Sequence, residues 1–154
     1  MKKLFVAILT MFSLSANAWV VNTQLNDMTD EINSHTLSAV SDNFGTFWIA
    51  CYRDGGDAFI LESKEYIGLM TTYETLYAVD GEVFTYEPHR RTLRYDGFIT
   101  ATEYNQELVQ AISNGKELRV KQLAKHNDSV VHKFDTSGFN EAYAEFMTQC
   151  SSFW

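Results

Sequence analysis

The stretch Thr46-Phe47-Trp48-Ile49-Ala50-Cys51-Tyr52-Arg53 constrains the fold more than any other. At a period of two, Phe47, Ile49 and Cys51 fall on one side, and Trp48, Ala50 and Tyr52 on the other. Both sides are apolar or aromatic, the pattern of a strand covered on two faces rather than one at a wet edge. Cys51 has a single intramolecular partner available, Cys150, near the far end of the chain. A bond between them would tie the central strand to the last element of the fold.

The first residues bear on whether such a bond can form. Met1-Lys2-Lys3 is a short cationic start, Leu4 to Leu14 is an apolar run of about eleven residues, and Ala16-Asn17-Ala18 places small residues at the cleavage-reading positions. This is the layout of a secretory signal peptide cut after Ala18. A spanning helix needs roughly 20 apolar residues, and Asn17 and Asn22 interrupt any extension of the run. No cysteine follows the cut, so a lipid-anchored form has no support, and no later stretch is apolar enough to span a bilayer. The expected organisation is a signal peptide at 1–18 and a single disulfide-stabilised domain at 19–154, periplasmic or secreted. Its 136 residues suffice for a core of their own. Two cysteines in an exported chain point to a disulfide, and no His or Lys flanks either one to activate a free thiol.

The whole chain carries 12 Lys and Arg against 20 Asp and Glu. Without Lys2 and Lys3 the balance is 10 against 20, a net charge of −10. That argues against nucleic acid as a partner, since binding a phosphate backbone needs clustered cations. It suits solubility and long-range attraction toward a basic partner.

Along the chain, short alternating segments dominate. Trp19 to Leu25, His35 to Ser41, Thr46 to Arg53, Ala58 to Leu61, Tyr66 to Thr71, Glu74 to Val79 and Val83 to Tyr86 read as strands. Asp54-Gly55-Gly56-Asp57 and Asp80-Gly81 are turns, the latter a strong hairpin signal. Pro88 breaks the pattern, Arg90 to Tyr95 alternates again, and Asp96-Gly97 turns the chain. Tyr104, Leu108, Ala111 and Ile112 then recur at helical spacing, with Thr102 or Asn105 as N-cap and Asn114-Gly115 as the stop. Leu118 and Val120 alternate with Arg119 and Lys121, His126-Asn127-Asp128 turns, and Val130 to Asp135 pairs back. Phe139, Tyr143, Phe146, Met147 and Cys150 form one apolar helical stripe, with Ser137 as its cap. The fold class is α+β: a mostly antiparallel sheet, sandwiched or strongly curved, with two helices in the C-terminal third.

Candidate chemistry is sparse. His35, His89, His126 and His132 lie in no zinc-binding spacing, and no C-x-x-C accompanies them. His132 shares a strand face with Val130 and Phe134 and reads as a satisfied core or rim histidine. There is no nucleophile elbow and no glycine-rich phosphate loop, and Asp54-Gly55-Gly56-Asp57 is too short for a calcium loop. No metal or cofactor is expected. Carboxylate pairs such as Asp27 with Asp30, or Asp80 with Glu82, arise by chance among 20 acidic residues. The segment Glu87 to Arg94 holds three of the five arginines, Arg90, Arg91 and Arg94. It is a candidate patch for an anion or a partner's carboxylates. The competing reading pairs these cations with Glu82, Glu87 and Asp96.

Several short words across the mature chain carry a family likeness. They are Trp19-x-Val21, Asp27-Met28-Thr29-Asp30, the strand ending in Cys51, Tyr77-x-Val79-Asp80-Gly81, the helix closing at Gly115, Leu118-Arg119-Val120, and Phe134-x-x-Ser137-Gly138-Phe139 ahead of Cys150. In these the chain resembles a group of small exported bacterial and phage-encoded domains that includes the periplasmic accessory (VasI-like) proteins associated with type VI secretion. The resemblance implies a sheet-rich domain with late helices and no catalytic residues to carry over. The leading expectation is therefore a periplasmic, non-catalytic binding or accessory protein acting through protein–protein contacts in the cell envelope. Two alternatives stand beside it: an inhibitor of a secreted lytic enzyme of lysozyme type, or phage exclusion factor, and a cell-wall hydrolase with an unrecognised site.

Overall fold

The computed structural model describes residues 19–26, 28–64, 75–86, 88–94, 97–123 and 129–153, with the backbone alone at 88–94, 97–100 and 123. The expected signal peptide at 1–18, the strand expected at Tyr66 to Thr71, and the turn at His126-Asn127-Asp128 lie outside the described residues.

Among the described residues ten strands and two helices follow one another: β1 (Val20–Leu25), β2 (Ile32–Val40), β3 (Thr46–Tyr52), β4 (Asp57–Ser63), β5 (Thr75–Val79), β6 (Glu82–Tyr86), β7 (Pro88–Arg94), β8 (Gly97–Glu103), α1 (Gln106–Asn114), β9 (Glu117–Leu123), β10 (Ser129–Asp135) and α2 (Phe139–Cys150). A single 3-10 turn, Ser151–Phe153, ends the described chain. The strands form two antiparallel sheets, one of six strands in the order β1-β2-β3-β4-β8-β7 and one of four in the order β10-β9-β5-β6. This is the expected α+β class. Among the described residues no helix is long and apolar enough to cross a membrane.

β3 lies inside the larger sheet, with β2 on one side and β4 on the other. Its register sets Ile49 opposite both Leu37 and Phe59, and Phe47 opposite both Ala39 and Leu61. Cross-strand neighbours share a face, so these six residues with Cys51 make one apolar layer, none of them more than 2% exposed. The smaller sheet lies over that layer. Phe47 meets Tyr77 and Phe134 at ring-centroid distances of 6.0 and 5.9 Å, and Phe59 meets Tyr77 at 5.9 Å. Fully burying each such side chain contributes about 1.5–3 kcal/mol. On the other face of β3, Ala50 is buried while Trp48 and Tyr52 are half-buried.

The helices close the sandwich. α1 adds Leu108, Val109 and Ile112 to the core, and Asn105 caps it by accepting from the backbone N–H groups of Glu107 and Leu108 at 2.7 and 3.3 Å. α2 packs against β1 and β2 and buries Phe139, Phe146 and Cys150. Trp19, the residue expected to follow the cleavage point, is 7% exposed. Its ring meets Phe139 edge-on at 4.8 Å, and its Nε1 donates to the carbonyl of Asp135 at 2.9 Å.

Three details differ from the sequence reading. Gly97–Glu103 is a strand, where the sequence pattern assigns no element between the Asp96-Gly97 turn and a helix capped by Thr102 or Asn105. Phe98, Thr100 and Thr102 do alternate with Ile99, Ala101 and Glu103, and pairing with β4 on one side and β7 on the other fixes them as β8. Thr102 is therefore not a cap; it sits in the sheet and hydrogen-bonds Tyr77. Ser137 does not cap α2. Gly138 holds that position at φ 77°, and the Ser137 N–H donates to Asp135 Oδ1 at 2.7 Å. A left-handed residue was needed to turn β10 into α2, and glycine adopts that conformation without a Cβ penalty.

Candidate functional site

The Asp80-Gly81 turn joins β5 to β6 with φ values of 48° and 98°, as the Asp-Gly pair implies. The end of α1 lies beside this hairpin. Gly115 follows the helix so closely that a Cβ there would stand 2.2 Å from Val79 Cγ1. Asp80 fixes the contact from the hairpin side: its carboxylate accepts from the backbone N–H groups of Lys116 and Glu117 at 3.0–3.2 Å.

Between hairpin and helix runs a groove of about 350 Å³, with Val79, Phe84 and Ala111 among its apolar lining and Asp80, Glu82 and Glu107 supplying carboxylates. Burial and the nearby Glu107 carboxylate push the Tyr86 phenol above its ordinary range. The last turn of α1 holds no basic residue, so the negative end of the helix dipole adds to the carboxylates here. A second depression of about 450 Å³ opens on the other side of Gly115, lined by Lys116, Asp135, Ser137, Asn140 and Glu141 among others. Hydrogen bonds from the Ser137 side chain and backbone hold Asp135 below the usual carboxylate range. An apolar floor rimmed by carboxylates suits a ligand with an alkyl stem and a cationic head, as in Lys or Arg.

The two cysteines are joined: Cys51 and Cys150 form a disulfide across 99 residues of sequence, both buried. It fastens α2 to β3. Beside it His35, opposite Cys51 in the β2–β3 register, lies under Phe153 with the rings stacked 4.9 Å apart. Thr23 Oγ1 meets His35 Nδ1 at 3.0 Å, while His35 Nε2 has no hydrogen-bond partner among the described residues.

A polar network escaped the sequence reading. His132 is fully buried, with Nε2 at 3.0 Å from Ser63 Oγ and Nδ1 at 2.6 Å from Asn43 Oδ1 and 3.2 Å from Ser41 Oγ. The order serine, imidazole, amide resembles a nucleophile, its base and an orienting group. Ser63 is only 1% exposed, however, and His132 is not exposed at all, so a substrate has no access to the hydroxyl. The network acts as a buried clamp instead. Gly45 N–H donates to Ser41 Oγ at 2.9 Å, Asn43 Nδ2 donates to the Val131 carbonyl at 3.1 Å, and the β2–β3 loop is thereby fixed to β10. As expected, His132 lies with Val130 and Phe134 on the buried side of its strand.

The arginine patch falls on β7, an edge strand of the larger sheet. Arg90, Arg91 and Arg94 stand opposite Ala101, Thr100 and Gly97 of β8. Their side chains lie outside the described residues, as does Asp27 of the carboxylate pair with Asp30. Asp80 and Glu82, the other nominal pair, both line the groove. Glu107, the third carboxylate, gave no signal in sequence, because only the packing of α1 beside the hairpin brings it there. Among the described residues, no three His, Cys, Asp or Glu side chains are grouped to hold a metal ion.

No protein-family model and no curated protein matches the chain. A solved structure does: invasion associated protein B from Bartonella henselae, with a TM-score of 0.62 over 90% of this chain and 96% of that one, at 15% sequence identity. At that identity the likeness establishes a shared fold.

Proposed function

We propose that this chain is an exported, non-catalytic binding or accessory protein, periplasmic after cleavage near Ala18, which acts through protein–protein contacts in the cell envelope. The observation that carries the reading is the buried Cys51–Cys150 bridge, a bond that persists in oxidising compartments. The cationic and apolar start of the chain supports the same compartment. The acidic groove beside α1 supplies a contact for a basic partner, and the net charge of the mature chain favours the encounter. The resemblance to accessory proteins of type VI secretion supports a partner in the envelope. Invasion associated protein B, which shares the fold, is by its name associated with invasion.

The same groove favours a second reading, inhibition of a secreted basic enzyme of lysozyme type. Capture from envelope extract with the oxidised mature protein, at low and high salt, tests the first reading. A basic envelope protein retained at low salt and released at high salt is the expected result, and retention of nothing basic overturns it. Lysis by a lysozyme, with and without the protein, tests the second; unchanged lysis at low salt rejects it.

A further inference from the structure

We propose that the outer edge of β6 is a docking strand: it pairs with an extended segment of a basic partner, whose cationic side chains enter the groove between β6 and α1. The inference rests on the binding reading above and specifies how the partner is held.

The two-residue Asp80-Gly81 turn makes Val79 and Glu82 the pair that exchanges both backbone hydrogen bonds. Bonded and non-bonded pairs alternate along an antiparallel ladder. Phe84 opposite Tyr77 and Tyr86 opposite Thr75 are thus bonded to β5, while the N–H and C=O groups of Val83 and Thr85 point off the sheet. β6 ends the four-stranded sheet, and among the described residues no backbone partner lies along its outer side. Both outward residues are exposed, Val83 to 61%.

Among the described residues the other three sheet edges are protected in ways that block pairing. β1 shifts register between Gln24 and Leu25 and lies against α2. β7 begins at Pro88, carries an irregularity between Pro88 and Arg90, and is rich in arginine. On β10 the carbonyls of Val131 and Asp135 are taken by Asn43 Nδ2 and Trp19 Nε1. β6 has no proline, no lysine and no bulge.

The chemistry next to this edge selects the occupant. Glu82 and Phe84 stand opposite the buried Val79 and Tyr77, on the side facing α1, and line the groove with Glu107 and Ala111. In a strand added to β6, alternate side chains point to that side. Lys or Arg there lays its stem on Phe84 and Ala111 and its charge between Glu82 and Glu107. The intervening residues lie beside Val83 and Thr85, where β-branched side chains pack best. A second copy pairing antiparallel about Phe84 would set its Glu82 opposite Tyr86, next to the Glu107 carboxylate, so the complementary occupant is a cationic segment, not a homodimer.

The test uses the oxidised mature protein and a short capped peptide alternating Lys with Val, with a Glu-for-Lys peptide as control. Thr85→Pro removes an outward N–H while leaving the β5 ladder intact, a substitution edge strands tolerate. Docking by β6 requires that the Lys peptide bind, that it slow hydrogen exchange at the Val83 and Thr85 amides, and that Thr85→Pro weaken it about tenfold at an unchanged urea midpoint. Equal binding by Thr85→Pro overturns the proposal, and if Glu107→Gln then weakens it, the groove survives as a binding site without strand pairing. A dimer dissolved by Thr85→Pro also overturns it, assigning the edge to a second copy. Failure of the peptide to bind overturns strand docking alone, because capture of a basic envelope protein decides the broader reading independently.

Discussion

Replacing both cysteines by alanine tests how far the fold depends on its one covalent cross-link. The bridge spans 99 residues of sequence, and closing a loop of that length lowers the entropy of the unfolded chain enough to stabilise the native state by about 4–5 kcal/mol. Native-state losses add little, since each alanine leaves only a sulfur-sized gap and α2 remains held by Phe139 and Phe146. A domain of this size has about 5–15 kcal/mol in all, so the variant should fold yet be far weaker. Urea unfolding of the oxidised protein, the reduced protein and the double variant measures the difference. The expected result is a loss of about 3–5 kcal/mol, shared by the reduced protein and the variant, with a steeper denaturant dependence once the unfolded chain can expand. A loss under about 1 kcal/mol would refute the reasoning, because the unfolded ensemble would then have to be already closed without the bond.

Two further outcomes follow from buried groups. Gly45→Ala places a Cβ 2.2 Å from His132 Nδ1, a ring held from both nitrogens, and should cost about 2–4 kcal/mol in thermal or urea unfolding; a His132→Ala background should reduce that cost, and a loss within about half a kcal/mol in the unaltered background contradicts the clamp. At alkaline pH, burial holds the Tyr77 and Tyr104 phenols well above their ordinary 10.0, outweighing at Tyr77 the opposing hydrogen bond from Thr102. Because folding raises both, the stability they contribute is complete below about pH 10 and is lost as pH rises through the folded-state values. Phenolate absorbance should therefore show tyrosines that ionise only as near-ultraviolet dichroism collapses; uniform titration of all eight with the fold intact argues against this.

Local pattern made the elements of this fold legible, while their assembly depended on contacts between distant residues. The two-faced apolar character of Thr46 to Tyr52 implied an interior strand, and β3 is one. The stripe from Phe139 to Cys150 implied a helix with its cysteine buried, and Cys150 is bonded to Cys51. Asp80-Gly81 implied a hairpin, and β5 and β6 form it. β8 was obscured because Thr102 and Asn105 are both good caps, and only pairing with β4 and β7 shows where the strand ends. The groove was obscured for a related reason: Asp80 and Glu82 are ordinary turn residues until α1 brings Glu107 and an apolar floor alongside. The His132 clamp joins Asn43, Ser63 and His132 across as many as 91 residues when Ser41 is included, and no local spacing marks such a network.

Export followed by oxidation is the claim on which the functional reading depends, and mass spectrometry of the unreduced protein from a periplasmic fraction tests it most directly. The expected species begins at Trp19 and yields, on digestion, one peptide pair joined through Cys51 and Cys150. A chain recovered from the cytoplasm, still beginning at Met1 and with both thiols open to alkylation, would contradict it.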